Sequence, residues 1–91
     1  MEAEHLYIRG LQLRESLLGA GHPEVARVLN NLAMLYESSG RLEDARLSLA
    51  RALPIFERTL GPTHPNTKAC RKNYARLELA ESRRHQSENR R

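Results

Sequence analysis

An internal repeat of 42 residues constrains the fold of this chain more than any other feature of its sequence. Residues 15–23 align with residues 57–65 at this offset without a gap, and five of the nine positions are identical. Further identical pairs flank this segment: Ala3 and Ala45, Arg9 and Arg51, Leu11 and Leu53, Asn31 and Asn73, Ala33 and Ala75, and Leu35 and Leu77. The two copies are therefore expected to fold alike, and units of this kind bury their apolar faces by stacking on one another.

Each copy has the pattern of two helices, which we call A and B in chain order. Residues 24–38 carry apolar side chains every three or four positions, which predicts an amphipathic A helix with one buried face. Pro23 suits the first helical position, and Gly40 can take the left-handed conformation that ends a helix. A second apolar stripe, within residues 41–60, predicts the B helix.

The same pattern extends to both ends of the chain. Residues 1–18 match a B helix and residues 66–82 match an A helix, so we predict an all-α chain of four antiparallel helices in the order B–A–B–A, with the complete repeat at residues 24–60. The pattern starts halfway through a repeat, and we expect a boundary within a longer protein rather than a natural half-repeat. Residues 83–91 are basic and lack apolar anchors, so we expect a flexible tail or a solvated extension of the last helix.

The order of small and large residues in the complete repeat resembles a known family. The segments LNNLAMLYESSGRLEDA and RALPIFERTLGPTHPNT are similar to the 42-residue tetratricopeptide repeat of kinesin light chains and nephrocystin-like proteins. The positions that carry the resemblance are Leu29, Leu32, Ala33, Tyr36, Gly40, Ala45, Leu49 and Ala52. Alanines at such positions let helices approach closely, while the larger residues fill the space between them. The resemblance covers residues 1–80 and implies an antiparallel helix-turn-helix solenoid that binds proteins or peptides along its concave face.

Three features depart from the family pattern. One is Gly10, which stands where the complete repeat has Ala52 and lowers the helix propensity by ~1 kcal/mol. Arg71 and Glu78 stand where the complete repeat has leucine and tyrosine, which predicts a terminal helix whose outer side meets water. Pro54 falls inside the B helix, where it removes one backbone hydrogen bond, and we expect a kink at this residue.

The resemblance also implies where a peptide would bind. In this family the A helices line the concave groove, and an asparagine at the position of Asn31 and Asn73 often hydrogen-bonds the backbone of an extended peptide, because an amide both donates and accepts. Helical spacing adds neighbours on the same faces. The predicted peptide-binding residues are Arg27, Asn30, Asn31, Met34, Ser38, Lys72, Asn73 and Arg76. Three of them are cationic, which favours an acidic peptide or a C-terminal carboxylate as partner. The alternative is that the asparagines bond only within or between the helices.

The sequence favours neither catalysis nor metal binding. It contains no CxxC, HExxH or phosphate-loop pattern, so we predict no catalytic residue, no metal ligand and no cofactor. His22 and His64 precede prolines at equivalent helix starts, where a capping role is favoured over metal binding. Cys70 aligns with Val28 and is predicted to be a small buried residue. A single cysteine also fits a reducing compartment, and we expect the cytoplasm.

The charge distribution leaves a nucleic-acid surface as the least favoured alternative. Residues 1–40 have a net charge of −2 and residues 66–91 a net charge of +5. The basic end could attract a polyanion. Tyr74 is the only aromatic residue in that segment, which disfavours stacking on single-stranded bases.

A structural module that self-associates is the other alternative. The opening B helix lacks its own A helix, which would leave apolar side chains uncovered at Leu6, Ile8, Leu11, Leu13 and Leu17. An apolar strip of this size is large for a monomer, so we expect a homodimer. No apolar run approaches the ~20 residues of a membrane span, so we expect no membrane partner.

Overall fold

The computed structural model describes residues 2–89, and it describes side chains as far as residue 84. This part of the chain forms four α-helices, and it contains no strand. The helices are α1 (Glu2–Leu18), α2 (Pro23–Ser38), α3 (Leu42–Leu60) and α4 (Pro65–Asn89). The predicted all-α chain with the order B–A–B–A is thereby confirmed.

Helices α2 and α4 begin at the prolines of the two His-Pro pairs, and both helix starts are capped in the same way. The Nδ1 atom of His22 accepts a hydrogen bond from the backbone N–H of Glu24 at 3.0 Å. The Nδ1 atom of His64 accepts from the backbone N–H of Asn66, also at 3.0 Å. Each bond satisfies one of the N–H groups that the first turn of a helix leaves without a partner. The predicted capping role of both histidines is confirmed.

Helix α2 is terminated by Gly40, two residues after its last residue, Ser38. The φ of Gly40 is 77°, in the left-handed region that residues with a Cβ atom rarely adopt. The N–H of Arg41 then donates to the carbonyl of Tyr36 at 2.9 Å, which closes the helix end. This turn reverses the chain, so that α3 packs antiparallel along α2.

The core lies mainly between α2 and α3 and continues to α4. The residues that carry the family pattern point into it, and all of the following are buried: Leu29, Leu32, Ala33, Tyr36, Ala45, Leu49 and Ala52. Phe56 and Leu77 complete the core on the α4 side. Alanines without any exposed surface on α2 and α3 let the two helices approach closely, as the sequence predicted.

Helix α3 passes through Pro54 without interruption. The helix is continuous from Leu42 to Leu60, and the proline ring lies on its exposed side. A proline there removes one backbone hydrogen bond but leaves the other bonds of the helix in place. The helix therefore does not stop and resume at this residue.

Helix α4 continues beyond residue 82, the end predicted for the last helix. It reaches Asn89, because neither proline nor glycine occurs after Pro65 to interrupt it. Residues 83–89 are thus an extension of the last helix, and residues 90 and 91 of the predicted tail lie outside the described residues. Within residues 2–89, no helix has an apolar stretch long enough to cross a bilayer.

Helix α1 is covered on one side only. Leu11 is buried and Ile8 packs against the core, so these two residues do not belong to the uncovered strip predicted from the sequence. Leu6, Leu13 and Leu17 do belong to it, with 65%, 58% and 73% of their surface exposed. The difference arises because α2 covers the side of α1 on which Ile8 and Leu11 lie.

Burial should protect the thiol of Cys70 from alkylation. The residue has no exposed surface, its Sγ donates to the carbonyl of Leu49 at 3.9 Å, and burial raises the pKa of the thiol to about 11. Alkylation needs both access and a thiolate. We expect iodoacetamide to label the folded chain at least about 100-fold more slowly than the chain in concentrated urea. Equal rates, measured by mass spectrometry, would contradict this packing.

Candidate peptide-binding groove

Helices α2 and α4, the two A helices, both pack on α3 and form the walls of a groove. One end of this groove is a cavity of about 220 Å³. Its lining residues come from three helices: Arg27, Asn30 and Asn31 from α2, Phe56 from α3, and Asn66 and Ala69 from α4. The structure thus brings together three of the residues predicted to bind a peptide.

Three amide side chains surround this cavity. Asn31 is exposed, and Asn66 is exposed on the opposite wall. The Oδ1 atom of Asn30 is buried and has no hydrogen-bond partner among the described residues. Buried polar atoms in native proteins are nearly always hydrogen-bonded, and leaving one unpaired costs about 1–3 kcal/mol. A side chain that lines the cavity therefore carries a polar atom without a hydrogen-bond partner among the described residues.

Further predicted residues lie along the groove away from the cavity. Met34 is half-buried and packs against the core one turn after Asn30. Asn73 is half-buried on the opposite wall, and helical spacing puts it on one stripe with Ala69 and Arg76. The predicted residue Ser38 lies at the end of α2, where its hydroxyl donates to the carbonyl of Leu35 at 2.9 Å. That hydroxyl still has an acceptor lone pair, so Ser38 can accept but no longer donates freely.

Ion pairs reduce the positive field that was expected in the groove. Arg27 pairs with Glu24 on its own helix at 2.6 Å. Arg76 reaches across the groove to Glu37 and binds it through both guanidinium Nη atoms, one of them at 2.9 Å. Lys72 is exposed and forms no ion pair with any described residue. One of the three predicted cations is thus unneutralised, because helical spacing alone does not show which acidic side chains lie opposite.

Three residues that line the cavity were not among the predicted binding residues: Phe56, Asn66 and Ala69. Asn66 aligns with Glu24, so the repeat contains no sign that an amide matters at this position. Phe56 is almost completely buried in the core and also lines the cavity. The only sequence signal for Asn66 was its place in the first turn after a proline, where polar residues usually serve as caps.

The Arg76–Glu37 pair should stabilise the arrangement of the two walls. We expect Arg76→Glu to lower the free energy of unfolding by about 0.5–1 kcal/mol, since it places two carboxylates together on a partly exposed surface. Exchanging both residues (Glu37→Arg with Arg76→Glu) should restore most of the loss. Lys72→Glu is the matched control, because it makes the same change of charge at a side chain without a partner. Urea unfolding measures the stability of the parent chain and of these three variants.

The same pair predicts the direction of a pH dependence. Hydrogen bonds from Arg76 lower the pKa of Glu37 in the folded chain. The pair therefore makes its full contribution to the free energy of unfolding above the unfolded pKa of a glutamate, about 4.3, and this contribution is lost as the pH falls through the lower folded pKa.

Among the described residues, no group of three or more His, Cys, Asp or Glu side chains is arranged to hold a metal ion.

A helical-hairpin repeat with a groove between its A helices defines a protein of the solenoid class. A sequence model of the tetratricopeptide repeat family matches residues 1–58, which is more than half of the chain. The chain belongs to this family. The match ends before α4, the helix in which Arg71 and Glu78 depart from the family pattern. Tetratricopeptide repeats in general mediate protein–protein interactions.

Curated relatives carry this repeat within much longer chains. A clustered mitochondria protein homolog of Emericella nidulans is 40% identical over 65 residues, which is 70% of this chain and 5% of the relative. The homolog of Coccidioides immitis is 42% identical over 59 residues, 64% of this chain and 4% of the relative. The homolog of Aspergillus niger is 36% identical over 64 residues, 70% of this chain and 5% of the relative. The chain spans about one twentieth of the length of these relatives.

Proposed function

We propose that the chain is a non-catalytic interaction module that binds an extended segment of a partner protein in the groove between α2 and α4. The observation that carries this proposal is the buried, unpartnered Oδ1 atom of Asn30 in a cavity lined by three amides. An extended peptide presents backbone N–H and C=O groups along its length. Amides can pair with both kinds of group.

The repeat supplies a second reason to favour peptide backbone as the ligand. Asn31 and Asn73 occupy the same position in successive repeats, Asn31 on α2 and Asn73 on α4. Equivalent amides on successive A helices can bond the same peptide strand at two points. Backbone recognition of this kind supplies affinity, and the side-chain pockets between the amides supply specificity.

A moderately acidic segment or a C-terminal carboxylate is the partner chemistry that we propose. Lys72 is exposed on the α4 wall without an ion pair to a described residue, and Arg27 is exposed at the cavity. A carboxylate could replace Glu24 or Glu37 as partner of a guanidinium, or bind Lys72 directly. We expect such attraction to act mainly on the association rate and to weaken with salt.

The amide Asn30 provides the test of this function. Peptides are first selected from a display library on the parent chain, and their affinities are measured by fluorescence anisotropy. Leucine is nearly isosteric with asparagine, so Asn30→Leu removes the unpaired acceptor with little change of volume. We expect this variant to unfold at the same or a higher urea concentration, because a buried polar atom without a partner is destabilising. We also expect it to bind the selected peptides about 10-fold more weakly, the loss of one good hydrogen bond.

Two outcomes would contradict the proposal. A strong loss of stability in Asn30→Leu would show that the amide serves the fold. Unchanged affinity would show that the peptides bind elsewhere. Gln12→Ala, at an exposed polar residue of α1, is the control and should leave both the stability and the affinity unchanged.

Self-association is the second candidate function. The observation that favours it is the exposure of Leu6, Leu13 and Leu17 on α1. A homodimer would cover these side chains, and sedimentation equilibrium of the parent chain measures its molecular mass in solution.

A kinesin-light-chain-like role and a cytoplasmic location stay expectations that rest on the sequence. For nucleic acid the basic surface is smaller than the sequence suggested, because Arg71 pairs with Glu57 at 3.2 Å and Arg76 with Glu37.

A further inference from the structure

The caps at the starts of α2 and α4 depend on the charge state of two histidines. His22 and His64 each accept, at Nδ1, a hydrogen bond from the backbone N–H two residues later, at 3.0 Å. A neutral imidazole with an acceptor at Nδ1 carries its proton on Nε2, so a second proton can bind only at Nδ1. Protonation therefore replaces the acceptor of each cap by a donor, and the cap opens.

The charges around His22 disfavour its protonated form. The imidazole is half-buried at the start of α2, where the free N–H groups give the helix a positive end. From α3, the guanidinium of Arg58 reaches the same loop and donates to the carbonyl of Gly21 at 3.3 Å. Glu24, the acidic residue in the first turn of α2, is already paired with Arg27 at 2.6 Å. An imidazolium here would therefore add a positive charge beside a cation and a helix N-terminus.

The surroundings of His64 have the same sign of charge. This imidazole is half-buried at the start of α4. Arg71 donates to a carbonyl of the same loop at 3.4 Å and pairs with Glu57 of α3 at 3.2 Å. Lys68 follows one turn later on α4, and Arg27 of α2 lines the same cavity as the first turn of α4. The carboxylate near this helix start is thus paired, while the cations outnumber it.

The direction of the pH dependence follows from these contacts. Neither imidazole forms an ion pair with a carboxylate among the residues whose side chains the structure describes, and Glu15 at the end of α1 is bound to Arg51. A histidine in an unfolded chain is half protonated at about pH 6.5. The unfolded chain therefore binds more protons than the capped chain in this range, so the stability is complete at higher pH and falls as the pH falls.

We infer that His22 and His64 are pH-sensitive caps, which hold the first turns of α2 and α4 only while both imidazoles are neutral. Both turns lie at the cavity end of the groove, because Asn66 and Arg27, the partner of Glu24, line that cavity. Acidification to about pH 5.5 should therefore release this end of both walls together. The inference does not depend on the proposed function, because cap opening is measured without a peptide.

Thermal unfolding of the whole chain at about pH 8 and about pH 5.5 tests the inference. We expect the melting temperature of the parent to fall by on the order of 5 °C on acidification, the usual effect of losing a cap in a domain of this size. In the double variant His22→Asn with His64→Asn, the side-chain oxygen can cap each helix at either pH. We expect this variant to melt with the parent at the higher pH and to lose less than about 2 °C on acidification.

Nuclear magnetic resonance supplies a readout that a merely structural histidine would not move. The imidazole ¹⁵N signals of the parent should show an unprotonated Nδ1 at the higher pH. The backbone amide signals of Glu24 and Asn66 should then shift together with the titration of His22 and His64. His5→Asn, at an exposed histidine of α1, is the matched control and should keep both these shifts and the full fall in melting temperature.

Equal falls in the melting temperature of the parent and of the double variant would overturn the inference. So would a fall that disappears in His5→Asn, a proton found on Nδ1 at the higher pH, or amide signals of Glu24 and Asn66 that stay fixed while the imidazoles titrate. If the double variant melts well below the parent at the higher pH, asparagine does not replace the caps, and the resonance titration of the parent decides.

Discussion

Leu49→Ala should lower the free energy of unfolding by about 2–5 kcal/mol, the usual effect of truncating a fully buried leucine. Leu49 has no exposed surface and lies where α3 contacts both A helices. The truncation removes apolar contacts and leaves a cavity that the close helix packing cannot refill. A chain of this size buries a limited core, so a large part of its stability would be lost.

Leu47→Ala is the matched control for this prediction. Leu47 lies two residues away on the same helix and keeps 52% of its surface exposed. The same chemical change should therefore alter the stability by no more than about 0.5 kcal/mol. Urea unfolding followed by circular dichroism compares the two variants. Similar losses in both would show that the face of α3 assigned to the core is incorrect.

Ala45→Leu should destabilise the chain by about 1–3 kcal/mol, because it inserts a larger side chain where α3 meets α2. Ala45 is completely buried, whereas its repeat counterpart Ala3 is exposed. Ala3→Leu should be close to neutral and serves as the control, since both substitutions add the same atoms to a helix. The melting temperatures of the two variants measure the difference. An unchanged value for Ala45→Leu would contradict the close contact of these helices.

The fold could be predicted from the sequence because its determinants are local and repeated. The apolar spacing of residues 24–38 indicates a helix with one buried face, and Gly40 marks the end of that helix. The recurrence of His-Pro at residues 22 and 64 marks two equivalent helix starts. Each of these signals involves residues close in the chain, and the 42-residue repeat then extends them to the neighbouring helices.

The electrostatics of the site could not be predicted in the same way. Arg76 and Glu37 are 39 residues apart and meet only because α2 and α4 pack on the same helix. The sequence therefore predicts Arg76 to be a free cation of the groove, although in the structure it is paired with Glu37. Asn66 was missed for a related reason, since it contributes to the cavity only through the position of α4 opposite α2.

The burial of α1 side chains also depends on contacts between helices that the sequence pattern does not reveal. Leu11 and Ile8 belong to the apolar pattern of α1, and so do Leu6 and Leu13. Periodicity does not distinguish the side that α2 covers from the side that remains open. Only the packing of the helices shows that Leu11 is buried while Leu6 is exposed.

The central claim is that the two A helices hold an extended peptide through equivalent amides. Its most direct test is the affinity of a peptide selected on the parent chain for the double variant Asn31→Ala with Asn73→Ala, measured by fluorescence anisotropy beside the Gln12→Ala control. We predict an affinity at least about 10-fold lower for the double variant, which corresponds to a loss of 1.4 kcal/mol or more, with an unchanged helical circular-dichroism signal. Equal affinities for the double variant and the parent would contradict the claim.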